Sequence, residues 1–446
     1  MLSILAHRTY RHLFCAQVIS LIGTGLMTVA LGLLAYKLAG KEAGAVLGTA
    51  LAIKMIAYVG VAPVVGGFAN TLPRRAFLVS MDLARALVAL ALPFADQVWQ
   101  IYVLIFILQS ASAAFTPTFE ATIPDILPDE AEYTRALSLS RLAYDLENLL
   151  SPTLAAALLV LVSYNELFVG TVIGFLASAL LVVSVRLPSR DAETETGRSF
   201  FERTTKGIRI YLATPRLRGL LALNVSVAAA GAMVLVNTVV LVRGILGRPD
   251  SDVAVALACF GAGSMLAALL LPRLLDRLPD RAVMTAAAAL LTVMLLALAA
   301  ALSLAVQNLI WPILLPLWLL IGIGYSAVET PTGRLLRRSA QAADRPAIFA
   351  AQFALSHACW LFAYPLAGRL GGSAGLAVTS LVLAAVTGAG AAAAVLMWPA
   401  DDPDIIEHDH PELGEEDPHL TGTARAGRHR HAFMIDDHHR SWPTSR

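Results

Sequence analysis

The sequence is short of charge. Of its 446 residues, 15% are Asp, Glu, Lys or Arg, where an ordinary soluble domain carries about 25%. With 57% hydrophobic residues and a mean hydropathy of +0.69, this excludes an ordinary soluble domain and indicates a bilayer as the solvent. Cysteine is scarce too. Cys15, Cys259 and Cys359 lie far apart in apolar runs without CxxC spacing, which argues against a disulfide framework or a thiolate metal site. There is no nucleotide-binding loop and no catalytic triad, so the chain reads as neither an ATP-driven pump nor an enzyme. No cofactor and no nucleic-acid partner are implied, and uphill transport would have to draw on an ion gradient. Met1–His12 is short and basic, and the apolar run after it is long enough to span, unlike a cleaved signal.

What is present is a series of apolar runs of about 20 residues. Twelve spans are expected, at roughly 13–38, 44–68, 76–94, 99–122, 135–162, 167–186, 216–241, 253–275, 282–305, 309–333, 346–369 and 374–398. Arginine and lysine collect on one side: Arg8, Arg11, Arg74, Arg75, Arg190, Arg198, Arg203, Lys206, Arg209, Arg337, Arg338 and Arg345. By the positive-inside rule that side is cytoplasmic and holds both termini, in a plasma (inner) membrane.

The chain is organised around Phe115–Ala157, two spans and the turn between them. Thr116-Pro117-Thr118 recurs as Thr330-Pro331-Thr332 and Ser151-Pro152 recurs as Tyr364-Pro365, each about half a chain later. This predicts one bundle built twice: an all-α membrane protein of twelve transmembrane helices in two pseudo-symmetric six-helix halves. The expected units are a bundle at 1–187, a cytoplasmic linker at 188–215 with an amphipathic piece around Phe200–Tyr211, a bundle at 216–398, and an acidic, largely disordered tail at 399–446.

Polar residues inside the spans are the candidate transport and coupling groups, because ionisable groups in hydrocarbon are costly and usually face a cavity. They are Glu120, Asp145, Glu147, Asn148, Lys54, Gln17, Glu329 and His357. Arg141 and Asp145, four apart on one helix, form either a structural ion pair or, with Glu147 and Glu120, part of a cation or proton site. Glu120 could instead be a gating contact. Lys54 needs a carboxylate partner or must lose its proton, with pairing to Asp145 or Glu120 preferred. Gln17, Asn224, Asn237 and Glu329 are each also read as interhelical hydrogen-bonders. His357 is either a packed histidine or a ligand and proton relay. Its spacing from Cys359 argues against one ion shared by the two.

Two loops carry a second repeat. Asn70-Thr71-Leu72-Pro73-Arg74-Arg75 is matched by Asp276-Arg277-Leu278-Pro279-Asp280-Arg281, so Leu-Pro-x-Arg recurs. Gly/Pro turns with an acid and paired bases can lock neighbouring helix ends. The expected gating set is Asn70, Arg74, Arg75, Asp276, Arg277 and Arg281. These loops, the twelve spans and the half-chain repeat resemble the Major Facilitator Superfamily, whose corresponding loop reads Gly-x-x-x-Asp-Arg-x-Gly-Arg-Arg. Asn70 replaces the family's acid, which implies a weaker lock in the first half. Asn148-Leu149-Leu150-Ser151-Pro152 keeps only the proline of the family's exporter motif.

The tail holds eleven acids, five arginines and seven of the ten histidines: His408, His410, His419, His429, His431, His438 and His439. His-x-His spacing beside carboxylates suits a transition-metal cation, with a solvated polar tail as the alternative. The tail, with residues 330–339 and 345–360, resembles the nickel-resistance branch of the superfamily. That resemblance implies export of nickel or cobalt in exchange for protons. The competing expectations are an exporter of a small organic molecule such as a drug or siderophore, supported by Phe115, Phe119, Tyr325 and Trp360, and a metal-buffering protein. The expected partners are the lipid bilayer, protons, and a divalent metal ion or small-molecule substrate.

Overall fold

A computed structural model describes residues 2–68, 73–127, 157–185, 200–304, 307–341, 344–402, 405–409 and 428–435, with isolated positions between 129 and 155 and at 187, 439 and 442. More than half of the fifth expected span therefore falls outside the described residues, together with Asn70 and residues 188–199 of the linker.

Long helices form wherever the apolar runs are uninterrupted. In the first half they are α1 (Arg8–Ala39), α2 (Ala43–Phe68), α3 (Arg74–Ala91), α4 (Val98–Ile126) and α5 (Tyr164–Val183). The amphipathic linker piece is α6 (Phe200–Ala213). The second half has α7 (Pro215–Val239), α8 (Asp250–Leu275), α9 (Asp280–Leu304), α10 (Gln307–Glu329), the short α11 (Thr332–Arg338), α12 (Arg345–Ser373) and α13 (Leu376–Met397). Among the described residues ten stretches are long and apolar enough to cross a membrane, the first of which, Arg8–Val61, holds both α1 and most of α2.

Packing repeats along with the sequence. In the first half α1 lies on α5, α2 on α4, and α3 on α4 and α5; in the second, α7 lies on α13, α8 on α10, and α9 on α10 and α13. The twelve-helix, two-half plan read from the sequence is the fold. Helix α7 is apolar all round and buried along nearly its whole length, as expected for an element at the centre of a bundle. It runs on into a π-helical turn at Val240–Ile245.

The halves meet through α2 and α12. At the end away from the arginine-rich loops the two backbones touch. A Cβ on Gly48 would overlap the carbonyl oxygen of Tyr364, and a Cβ on Gly368 would overlap that of Gly44. Only glycine permits so close an approach, the small-residue logic of helix packing in lipid. Asn237 of α7 fastens the same end, its Nδ2 donating to the Ala367 carbonyl at 3.1 Å.

Parts of the tail are ordered. Within the stretch read as disordered, β1 (Ile405–Asp409) pairs antiparallel with β2 (Arg428–Ala432). Phe433 and Ile435 are buried beyond it. The tail is tied down at its root: Asp402 lies 3.6 Å from Arg216 Nε and 3.3 Å from Arg338 Nη1, and the Arg216 guanidinium sits 5.4 Å from the Trp442 ring. At least one of the tail's acids thus answers a buried arginine in the bundle.

Candidate transport site

The arginine-rich end is built from two matching sets of contacts. Arg74, the first residue of α3, forms an ion pair with Asp125 near the end of α4. Asp280, the first residue of α9, forms one with Arg334 just beyond α10, its Oδ2 3.2 Å from Arg334 Nε. The positions correspond through the Leu-Pro-x-Arg repeat, with acid and base exchanged. Beside them Arg75 donates to the Val183 carbonyl at the end of α5, and Arg281 donates to the Trp398 and Val395 carbonyls at the end of α13, at 2.7 and 3.0 Å. Both arginines thus satisfy carbonyls that a helix terminus leaves without an internal partner.

Of the expected gating residues, Arg74, Arg75 and Arg281 occupy these locks. Asp276 and Arg277 do not: both are exposed, and the acid of the second lock is Asp280. The loop motif made Asp276 the obvious acid, but the turn ends before Asp280 opens α9, and there the carboxylate meets both a helix N-terminus and Arg334.

Deep in the first half lies a charge pair that the expected site omitted. Asp82 and Arg85, three apart on α3, form an ion pair and are 0% and 4% exposed. Ser178 of α5 donates to Asp82 at 2.8 Å, and Arg85 Nη1 donates to Ser20 of α1 at 3.3 Å. The guanidinium lies between Phe115 and Phe175, 4.3 and 4.6 Å from their ring centroids. The network joins α1, α3, α4 and α5. An acid three residues before an arginine inside an apolar run was a legible signal for it.

The second half offers an aromatic wall. Phe260 of α8 meets Tyr325 of α10 edge to face at 5.5 Å; Tyr325 lies 6.2 Å from Trp360 of α12, and Trp360 lies 4.9 Å from Tyr364. One turn back on α12, His357 sits 3.9 Å from Phe353 and stacks at 5.8 Å on Tyr58 of α2. Lys54 Nζ is 5.8 Å from the Tyr58 ring. Tyr58, Tyr325, His357 and Trp360 are all half-buried, and their spacing fits the offset and edge contacts that aromatic rings favour. The wall crosses from one half to the other through Tyr58.

The structure places the remaining expected groups as follows. His357 Nδ1 donates to the Phe353 carbonyl at 2.7 Å, and Cys359 Sγ donates to Leu355 at 3.3 Å, so each bonds its own helix and the two do not converge. Gln17 accepts from Ser140 at 3.0 Å and is buried. Asn224 Nδ2 donates to the Leu220 carbonyl within α7. Glu329 closes α10 and is half-buried. Asp145, Glu147 and Asn148 lie outside the described residues, as does the side chain of Glu120 on α4. Among the tail histidines, His410, His419 and His438 are also outside them. His408, His429 and His431 have a described backbone, and His439 is buried with its ring edge-on to Phe433 at 4.6 Å. Among the described side chains no three His, Cys, Asp or Glu groups come together to hold a metal.

Comparison with known proteins agrees with this architecture. The profile of the Major Facilitator Superfamily matches the chain twice, over residues 13–245 and 221–430. An uncharacterized MFS-type transporter, YfiS of Bacillus subtilis, is 24% identical over 217 residues, 47% of this chain and 51% of that protein. Macrolide efflux protein A of Streptococcus pyogenes is 25% identical over 182 residues, 40% of this chain and 44% of that one. The chain thus spans about half the length of the curated relatives it matches. Among solved structures, a bacterial homolog of the human lysosomal transporter Spinster, inward-facing and unoccupied, superposes with a TM-score of 0.69 at 13% identity, over 88% of this chain and 97% of that one. The D-xylose-proton symporter superposes with a TM-score of 0.63 at 14% identity, over 89% and 97%. The repeated bundle, its paired locks and the double profile match converge: the chain belongs to the Major Facilitator Superfamily and is a multi-pass membrane transporter, not an enzyme.

Proposed function

We propose that this transporter exports an amphiphilic organic compound by alternating access, in exchange for protons, from a cytoplasm that holds both termini. The observation that carries this is the aromatic wall of Tyr58, Phe260, Tyr325, His357, Trp360 and Tyr364, drawn from both halves, in which Phe260 and Tyr364 are buried and the other four half-buried. Ring faces reward planar or apolar ligand surface, and Lys54 at its edge supplies a polar anchor. The partial similarity to a macrolide efflux protein points to the same substrate class. Glu120, Asp145, Glu147, Glu329 and His357 remain the proposed coupling groups, since export against a gradient needs a side chain that changes protonation between the two faces.

The test is accumulation of ethidium and of a panel of macrolides in a bacterium stripped of its own efflux systems. Expression lowers accumulation of at least one compound, an uncoupler restores it, and Trp360→Ala and Tyr325→Ala restore it at unchanged protein level. Unaltered accumulation across the panel refutes organic export. The histidine-rich tail favours a second reading, export of nickel or cobalt. Protection against those ions with no effect on the organic panel selects it.

A further inference from the structure

The linker helix α6 does not stand apart from the bundle. It lies along the first turns of α12. A Cβ on Gly207 would overlap the Ala347 carbonyl, so the two backbones touch there, as only glycine permits. Lys206 Nζ lies 2.7 Å from Oδ1 of Asp344, the residue just before α12. The Tyr211 hydroxyl donates to Gln352 Oε1 at 2.5 Å. Ile210 and Tyr211 are fully buried, and so is Thr214, the single residue between α6 and α7. One short helix thus ties the inner end of α12 to the start of α7.

Burial pushes the Tyr211 hydroxyl well above its ordinary value, and the nearby Cys359 and Glu329 push it the same way. The hydroxyl is therefore a neutral donor. Its acceptor, Gln352, is 8% exposed, so removing the donor alone would strand a buried amide oxygen. The contact sits beside the transport surface. Phe353 follows Gln352 directly on α12, and Phe353, His357, Trp360 and Tyr364 share a face about a third of a turn round from Gln352. One side of α12 is held by α6, and the neighbouring side carries the rings that meet Tyr58 of α2 and Tyr325 of α10. Phe349 and Phe353, at the same inner end, are each 42% exposed, so little else grips α12 on that side. A helix held along one side has its rotation fixed, and rotation decides where its rings point.

We propose that α6 is a strut of the second half and Tyr211 a positioning residue for export, its bond to Gln352 setting the rotation of α12 that aims Phe353, His357 and Trp360 into the wall. This rests on the wall being the surface that binds the exported compound. The strut stays docked through the transport cycle and moves with α7 and α12 as one body.

The experiment uses the full-length protein in the bacterium stripped of its own efflux systems, with ethidium as the probe. Tyr211→Phe keeps the buried ring and removes the donor. It raises the half-saturating ethidium concentration by about tenfold, at unchanged maximal rate and unchanged protein level in the membrane. Tyr211→Phe with Gln352→Met removes both partners and restores the wild-type value, because a bond deleted from both sides strands nothing. A loss confined to protein level or maximal rate, or a double variant no better than the single, overturns the positioning role. Docking is tested by a covalent tie. With the native cysteines replaced, Lys206→Cys with Asp344→Cys is bridged by bismaleimidoethane, and export continues; export stopped by the bridge overturns the strut. A readout free of transport accompanies these. Tyr58→Cys with His357→Cys, where the native rings stack at 5.8 Å, is bridged by the same reagent. Bridging slows when Tyr211→Phe is added and regains its rate when Gln352→Met joins it. Equal rates in all three backgrounds overturn the proposal. A wild type that leaves ethidium and the macrolide panel unaltered refutes organic export instead, and the bridging rate alone then decides the role of Tyr211.

Discussion

Removing Arg85 while leaving Asp82 in place isolates the energetics of the pair buried in the first half. Arg85→Met keeps an unbranched apolar stem but removes the guanidinium that lies between Phe115 and Phe175. It strands a carboxylate that is 0% exposed with the Ser178 hydroxyl as the donor seen in the structure. Breaking a buried ion pair from one side costs about 3–5 kcal/mol, and loss of the two aromatic contacts to the guanidinium adds about 1–2 kcal/mol. At about 2–4 °C per kcal/mol for larger domains, the apparent Tm falls by on the order of 10 °C. The double variant Asp82→Asn with Arg85→Met removes both charges and keeps an acceptor for Ser178, so most of the loss is regained. The measurement is the thermal unfolding of purified protein in one detergent, with accumulation assayed in parallel. An Arg85→Met protein as stable as wild type, or a double variant no better than the single, refutes the electrostatic account. A double variant that regains stability yet exports nothing assigns the pair to coupling.

Other consequences follow from the same contacts. Gly368→Leu places a side chain where the Gly44 carbonyl stands and should abolish transport while leaving membrane insertion intact, scored by accumulation and by protein level in membranes. Reversing the first-half lock is testable by charge exchange: Arg74→Asp alone lowers transport, and Arg74→Asp with Asp125→Arg restores most of it, as the exchanged lock at Asp280 and Arg334 already shows to be tolerated. Asp402→Ala should loosen the tail from Arg216 and Arg338, read as faster cleavage after residue 402 in limited proteolysis with the bundle unaffected; an unchanged cleavage rate counts against anchoring.

Much of the fold was legible because the bilayer imposes its own simplicity. Apolar runs must be helices there, and the repeat of Thr-Pro-Thr and Leu-Pro-x-Arg indicated two like halves. The site was legible only in pieces. Tyr325 and Trp360 were visible as aromatics, but Tyr58 joins their wall only because α2 crosses to α12, a tertiary fact. Arg74 was expected to help lock neighbouring helix ends, with no partner named. Its partner, Asp125, lies 51 residues on, and only the charge-exchanged copy at Asp280 and Arg334 hinted at it. Composition averages over the tail and so could not single out Asp402, Phe433 and Ile435, which each find a specific place against the bundle.

The glycine contact between α2 and α12 also bears on how easily the two halves part. Leucines at these positions would bury apolar area worth about 25 cal/mol per Å² against water, all of it forfeited whenever this end opened to solvent. Gly44, Gly48 and Gly368 themselves have no side-chain area to lose, and the Asn237 to Ala367 hydrogen bond can be exchanged for one to water. The seam closes tightly there because its surfaces fit, and these three positions add little to the cost of opening the end away from the arginine-rich loops.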